Sequence, residues 1–362
     1  MARYAGLVEY ALRQPSNPSR QWEVCKLHVA IPFRLPAWLP GNIETWLNHL
    51  WIAQTSGRRI SRAKVDLVHV LDGSYGYLIS GVRKLPVVVT VHDLIPILQQ
   101  QGRFENGNTS FLARRTIAKS IMGLQRSDRL MTVSENSFND LVDFVGIDEE
   151  KITVVPNALD RKLVYAANSR LENTAEAKND ATPYVFHIGN NAEYKNRQGV
   201  VRIFSNIATR LKVELVMAGP PPSAELAKLV TDLDLESLVD FVENPDDNHL
   251  FKLYQEASLF LFPSIYEGFG WPPLEAMAFG CPVVSSSEAS LPEVVGDAAL
   301  QAAAKDEQQL ADHCIAVLQN PELARSLSEK GRIRAGQFTV ERMGREIAEV
   351  YAGAMEGQPS LS

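Results

Sequence analysis

The stretch from Phe262 to Ser287, FPSIYEGFGWPPLEAMAFGCPVVSSS, constrains this chain most: an apolar strand run, a glycine-rich turn, a helix opening and a second apolar strand run. Two carboxylates, Glu267 and Glu275, stand within it. Gly268 and Gly270 lack a Cβ, so main-chain N–H groups can approach a ligand closely, and Pro272 and Pro273 are tolerated in a first helical turn. A helix start of this kind favours an anion. Glu275 is expected in that first turn, where a carboxylate is stabilised and can accept two hydrogen bonds from a vicinal diol such as a ribose. Glu267, in the preceding loop, would face whatever lies beyond the phosphates. The plainer reading is a dipole-compensating glutamate beside an ordinary turn.

The unbroken string EGFGWPPLEAMAFGCPVV resembles the donor-binding signature of glycosyltransferase family 4, the retaining GT-B enzymes. In that signature a first Glu precedes Gly-Phe-Gly and a second Glu follows eight positions later. The resemblance implies that Glu267 contacts the donor sugar and Glu275 the ribose, with Gly268, Phe269 and Gly270 forming the turn around the donor.

A length of 362 residues predicts two domains, each able to bury its own core. No apolar run approaches a membrane span, and the opening MARYAGLVEYALRQ lacks a signal-peptide pattern. Cys25, Cys281 and Cys314 fit neither a disulfide framework nor a zinc site. A cytoplasmic location is expected. Charge divides the chain: residues 1–130 carry 17 Lys+Arg against 8 Asp+Glu, and the remainder 19 against 35, so the net −7 is +9 and −16. Either this is drift between domains, or the basic half meets an anionic membrane surface, peripherally at the inner face, or an anionic lipid-phosphate acceptor. Nucleic acid is not expected, since the basic residues do not interleave with aromatics.

Strands alternating with helices predict parallel sheets covered on both faces. The expected elements begin with a helix over 4–14 and a strand over Val24–Ile31, and continue with a helix over Asn42–Thr55 and strands over Asp66–Leu71 and Val87–His92. Ligands of such sheets lie beyond the carboxyl ends of the strands, which places His92 at a functional edge. VTVHDLIP resembles the family segment that puts a histidine beside the donor sugar. The family normally begins one strand and one glycine-rich loop earlier, so this chain lacks the usual first strand or begins late, with Gly6 as a remnant. Ser134 in TVSENS reads as an N-cap for a helix over Asn136–Phe144.

The polar run from Ala166 to Thr182 reads as an interdomain linker. After the strand that opens at Tyr184 and ends near Gly189, Lys195 stands where the family has the lysine that neutralises the donor diphosphate. Asn190 and Tyr194 occupy the positions where the family often adds an arginine; Arg197 either compensates as a second cation or, more simply, reads as part of a solvated helix face. Asp232 and Asp234 also read as helix surface. The final helix, Val340–Met355, resembles the family's terminal helix, which returns to the N-terminal domain.

The expected fold is GT-B, two doubly wound Rossmann-like domains facing each other across a cleft, with the resemblance covering roughly residues 60–355. The expected organisation is an N-terminal domain over 1–165, a linker over 166–182, a C-terminal nucleotide-sugar domain over 183–338 and a returning helix over 339–362. The resemblance implies transfer of a sugar from a nucleotide diphosphate sugar to a hydroxyl of a glycan or lipid-phosphate-linked acceptor, with retention. Glu267, His92 and Lys195 are the catalytic candidates; Gly189, Lys195, Glu267, Gly268, Phe269, Gly270 and Glu275 are the donor-binding set. Neither a metal nor a cofactor is expected. VTVHDLIP resembles bacterial mannosyltransferases of surface polysaccharides, which makes GDP-mannose the first donor to test. A non-catalytic subunit of the same architecture is the alternative.

Overall fold

A computed structural model of the protein describes residues 2–14, 22–27, 41–82, 85–104, 110–172 and 182–356. The chain forms two compact units, one comprising 1–158 and 340–362, the other 159–339.

In the first unit, helices α1 (Ala2–Leu12) and α2 (Gly41–Ala63) precede strand β1 (Val68–Val70), a 3-10 helix over Gly73–Gly81 and strand β2 (Val87–Val91). Then come α3 (Ile95–Gln100), α4 (Phe111–Arg126), β3 (Arg129–Thr132), α5 (Glu135–Val145) and β4 (Ile152–Val154). The described strands form one parallel sheet in the order β1-β2-β3-β4. β2 is buried throughout, which explains its unbroken VVVTV. Tyr4, Leu7, Val8 and Ala11 make an i, i+3, i+4, i+7 stripe that buries α1. Ser134 caps α5 by accepting from Ser137 N–H at 3.1 Å, and Gly146 ends it in the left-handed region.

A neutral hydrogen-bonded relay crosses this unit. Tyr351 Oη lies 2.6 Å from His69 Nδ1, His69 Nε2 lies 2.7 Å from Thr90 Oγ1, and Thr90 Oγ1 lies 3.0 Å from Tyr4 Oη. Burial, reinforced by His92, holds the His69 imidazole down at about 3, and burial raises the Tyr4 phenol to about 12. The polar residues of this relay thus have partners, as buried polar groups generally do.

The second unit contains α6 (Arg161–Glu172), β5 (Tyr184–Ile188), α7 (Arg197–Ala208), β6 (Glu214–Gly219), α8 (Ala224–Asp232), β7 (Val239–Glu243) and α9 (Asp247–Glu256). It continues through β8 (Leu259–Phe262), α10 (Trp271–Ala278), β9 (Val283–Ser286), α11 (Leu291–Val295), β10 (Ala299–Ala302), α12 (Glu307–Gln319) and α13 (Pro321–Ala335). The last helix, α14 (Val340–Glu356), belongs to the first unit and packs on α1.

The sheet of the second unit is parallel, in the order β10-β9-β8-β5-β6-β7. The winding reverses between β5 and β8, and ligands of open parallel sheets bind beyond the strand ends at such a reversal. β8, LFLF, is wholly buried.

Two expectations change. Residues 24–27 form no strand; Leu27 is 42% exposed, so the segment has no apolar face to cover, and 28–31 lie outside the described residues. The expected linker begins too early: α6 covers its start, with Leu163 and Ala167 burying an i, i+4 pair and Asp160 accepting from Lys162 N–H at 2.8 Å. Residues 173–181 lie outside the described residues.

Candidate active site

Of the residues singled out in the sequence, Gly189, Lys195, Glu267, Gly268, Phe269, Gly270 and Glu275 lie in the second unit, and His92 in the first. Lys195 follows β5 and Glu267 follows β8, the two strands between which the sheet reverses. Their side chains meet there. Lys195 Nζ donates to both carboxylate oxygens of Glu267, at 2.6 and 2.9 Å. Both are mostly shielded, with side-chain exposures of 17% and 9%. A shielded pair of this kind is costly to break one-sidedly, because the remaining charge stays desolvated. A strongly anionic ligand at the same place offers the ammonium an alternative partner.

The loop carrying Lys195 is held tightly. Gly189 N–H donates to Ala218 O at 3.1 Å, and a Cβ at Gly219, whose φ is +139°, would stand 2.3 Å from Gly189 O. Only glycine permits that approach. Asn196, in the left-handed region, caps α7 through Gly199 N–H at 3.2 Å and donates to Pro263 O at 3.0 Å. Lys195 therefore sits on a loop pinned to the chain that leaves β8.

The turn Glu267–Gly270 is supported from beneath: Ser290 Oγ lies 2.9 Å from Glu267 O and 2.7 Å from Phe269 O. Gly270, at φ +114°, is the N-cap of α10 and has no space for a side chain, Leu291 Cδ2 lying 3.0 Å from where a Cβ would stand. Pro272 and Pro273 bring no N–H, and Leu274 N–H donates to Gly270 O. The first turn of α10 thus offers an anion fewer amides than an ordinary helix start.

Glu275 is the fifth residue of α10, not part of its first turn, because the helix already begins at Trp271. It is 5% exposed and accepts a hydrogen bond from Tyr254 Oη at 3.0 Å. Tyr254 is buried among Phe186, Phe260 and Phe279. This fixes one carboxylate oxygen from the core side.

Arg197 overturns its reading as a solvated residue. It is 5% exposed; its guanidinium donates to Asn191 Oδ1 and, at 3.2 Å, to Pro220 O, and lies 5.8 Å from the Phe241 ring. Desolvation lowers its pKa. As the first residue of α7 its side chain turns back to the ends of β6 and β7, tying the Lys195 loop to them. No one-dimensional signal distinguishes this from an exposed N1 residue.

His187, on β5, donates from Nδ1 to Leu261 O at 3.0 Å and is fully buried. Burial first, then the nearby Arg197 and Lys195 charges, hold it neutral at about 3 against the upward pull of the Leu261 carbonyl.

In the first unit, His92 Nε2–H donates to Leu71 O at 3.0 Å, and its ring meets Tyr4 edge-on, 4.5 Å between centroids. Burial lowers its pKa, outweighing the Leu71 carbonyl and Asp72. Its carbonyl accepts from Ser137 Oγ at 3.2 Å. Among the described residues, no group of three or more His, Cys, Asp or Glu gathers in a metal-binding arrangement. No described helix is long and apolar enough to cross a membrane.

Comparison with known proteins fits this geometry. Residues 10–163 match the family model Glycosyltransferase Family 4, and residues 168–334 match Glycosyl transferases group 1. The O-antigen chain mannosyltransferase B of Escherichia coli is 34% identical over 172 residues, covering 46% of this chain and 45% of that protein. The MMP alpha-(1->4)-mannosyltransferase of Mycolicibacterium hassiacum is 29% identical over 231 residues, 62% and 54% of the two. The chain thus spans about half the length of these relatives. The structure of a sucrose-phosphate synthase from Thermosynechococcus elongatus superposes with a TM-score of 0.75 at 20% identity, covering 95% of this chain and 88% of that one. With the two family models falling one on each side of the linker region and a parallel, Rossmann-like sheet in each unit, the chain belongs to the family 4, group 1 glycosyltransferases and has the GT-B fold.

Proposed function

We propose that the protein transfers a sugar, mannose in the first instance, from a nucleoside diphosphate sugar to an acceptor hydroxyl, with retention at the anomeric carbon. The observation that carries this reading is the Lys195–Glu267 pair at the reversal of the second sheet. Lys195 holds the donor diphosphate, Glu267 the sugar and Glu275 the ribose diol, with Gly189 and the turn Gly268–Gly270 giving main-chain approach. The resemblance assigns His92 to the donor sugar. When the donor enters, its diphosphate replaces Glu267 as the partner of Lys195, and the released carboxylate turns to the sugar hydroxyls.

In the reaction, the bond from the anomeric carbon to the diphosphate oxygen breaks, and the acceptor oxygen bonds to that carbon on the same face. The acceptor proton passes to the departing diphosphate. No enzyme nucleophile is needed. Stabilising the leaving charge supplies most of the rate, a task suited to a compact ammonium, and the reaction proceeds without a metal.

Mannose is supported by the names of the two relatives, both mannosyltransferases, and the name of the first, which acts on an O-antigen chain, supports a surface-polysaccharide acceptor. The test is to offer GDP-mannose and UDP-glucose separately, follow release of nucleoside diphosphate, and read the anomeric configuration of the product by NMR. Consumption of GDP-mannose with an α-linked product is expected. Nucleotide binding without turnover of any donor would make the chain a non-catalytic subunit, and an inverted product would contradict the mechanism.

A further inference from the structure

The first unit contains a cavity of about 360 Å³ beyond the carboxyl end of β2, between α3, α4 and the 3-10 helix. Its size is within the range of ligand pockets, roughly 300–1,000 Å³. Leu94, Ile97, Leu112, Ile117 and Ile121 dominate its wall. Four of the polar side chains on that wall are hydrogen-bonded within the protein. Asp93 accepts from Ile95 N–H at 3.0 Å, Ser110 from Ala113 N–H at 3.3 Å, Thr116 donates to Leu112 O at 3.1 Å, and Ser120 to Ser74 O at 2.7 Å. A sugar would find few uncommitted partners here, and a hydrocarbon needs none.

A second pocket, of about 250 Å³, shares His49 and Thr116 with the first. Lys119 and Arg126 line it, and neither makes an ion pair among the described residues. His49, bonded to Tyr77 Oη at 2.6 Å, has its pKa lowered by burial, so the shared wall is neutral. The two pockets adjoin at His49 and Thr116, one apolar and the other lined by two cations, within residues 1–130, which carry +9. That is the complement of an amphiphile with one hydrocarbon chain and an anionic head.

We propose that the apolar cavity holds the hydrocarbon chain, and Lys119 and Arg126 the phosphate, of a lipid-phosphate-linked acceptor. This rests on the reading of the protein as a glycosyltransferase and assigns the site of its acceptor's lipid anchor.

The probe is dodecyl phosphate as a monomer, titrated calorimetrically beside inorganic phosphate and dodecyl maltoside. Saturable binding at least tenfold tighter than either is expected. Ile117→Trp and Leu112→Trp, which fill the cavity, should each weaken both chain-bearing probes at least tenfold. Lys119→Glu combined with Arg126→Glu should abolish the preference for dodecyl phosphate over the maltoside and leave the maltoside's own affinity intact. Circular dichroism and GDP binding report the fold of each variant, and Ala113→Leu, a smaller filling, replaces any tryptophan variant that unfolds. Unchanged affinity in the filled variants, equal binding of inorganic phosphate, or binding only to phosphatidylglycerol vesicles would overturn the proposal, the last in favour of a membrane surface. Failure of the wild-type protein to bind any nucleoside diphosphate would instead sink the glycosyl-transfer reading and leave the chain site standing.

Discussion

The two sheets solve the problem of buried polarity differently. In the second unit the sheet reverses between β5 and β8, and the loops that follow these strands bring a charged pair, Lys195 and Glu267, into a shielded place. In the first unit the described strands follow one another without a reversal, and a neutral relay through Tyr351, His69, Thr90 and Tyr4 crosses the interior. A neutral, fully partnered relay positions elements but has no charge to give a ligand. A shielded ion pair has one partner to exchange. The difference places the shielded, exchangeable charge in the second unit; the charges of the first that could meet a ligand, Lys119 and Arg126, are exposed.

The largest effect that would break this contrast is at Lys195. Removing one preorganised charge-stabilising donor costs about 3–4 kcal/mol, or roughly 100- to 1,000-fold in turnover. Lys195→Ala should show that loss with an intact circular dichroism spectrum, and Lys195→Arg should recover part of it, a planar fork replacing a point charge. More than a tenth of wild-type turnover in Lys195→Ala would move the diphosphate to another cation.

A smaller effect separates the two glutamates. Glu275→Ala should weaken binding of free GDP, since the ribose loses its acceptor, whereas Tyr254→Phe, which deletes one hydrogen bond to that carboxylate, should cost about 1 kcal/mol, near fivefold. Equal nucleotide affinity in wild type and Glu275→Ala would return Glu275 to a core role.

His187 links the charged site to stability. Its folded pKa, about 3, lies below the ordinary 6.5 of the unfolded chain, so between these values the unfolded state binds the extra proton. Stability is therefore full above pH 6.5 and falls as the solution is acidified, by about 2 kcal/mol at pH 5. Amide hydrogen exchange in β5 and β8 at pH 7 and pH 5, compared at matched intrinsic rates, should show this loss. His187→Asn should flatten it; an identical pH response in the variant would remove His187 from the account.

The smallest effect concerns the surface. If the +9 of residues 1–130 acts as a patch, vesicles with anionic lipid should retain the protein at low salt and release it near physiological ionic strength, where screening confines the attraction to ~8 Å. Equal retention on neutral vesicles would reduce the charge division to drift.

How much of this was legible in the sequence follows the same division. The second unit reads well because its strands are continuous apolar runs, such as LFLF in β8 and ELVMAG in β6, and its turn carries glycines with a backbone reason. The first unit reads less well at its start, where VCKL imitates a strand but leaves Cys25, Lys26 and Leu27 exposed. α13 went unanticipated although Asn320 caps it and Pro321 opens it, because ELARSLSEKGRIRA has a weak apolar stripe. Contacts remote in sequence were not legible at all: Lys195 with Glu267, Tyr254 with Glu275 and Arg197 with Pro220 exist only once strand order is known.

The central claim, that the donor diphosphate displaces Glu267 from Lys195, is tested most directly by a double-mutant cycle on GDP affinity. Calorimetric titrations of wild type, Lys195→Ala, Glu267→Ala and the double variant are needed. The account predicts that Lys195→Ala binds GDP more weakly, that Glu267→Ala binds it at least as tightly as wild type because the ammonium is already released, and that the double variant matches Lys195→Ala. Weakening of GDP by Glu267→Ala to the same degree as by Lys195→Ala would contradict it, since the pair would then be holding the loops together rather than exchanging for the ligand.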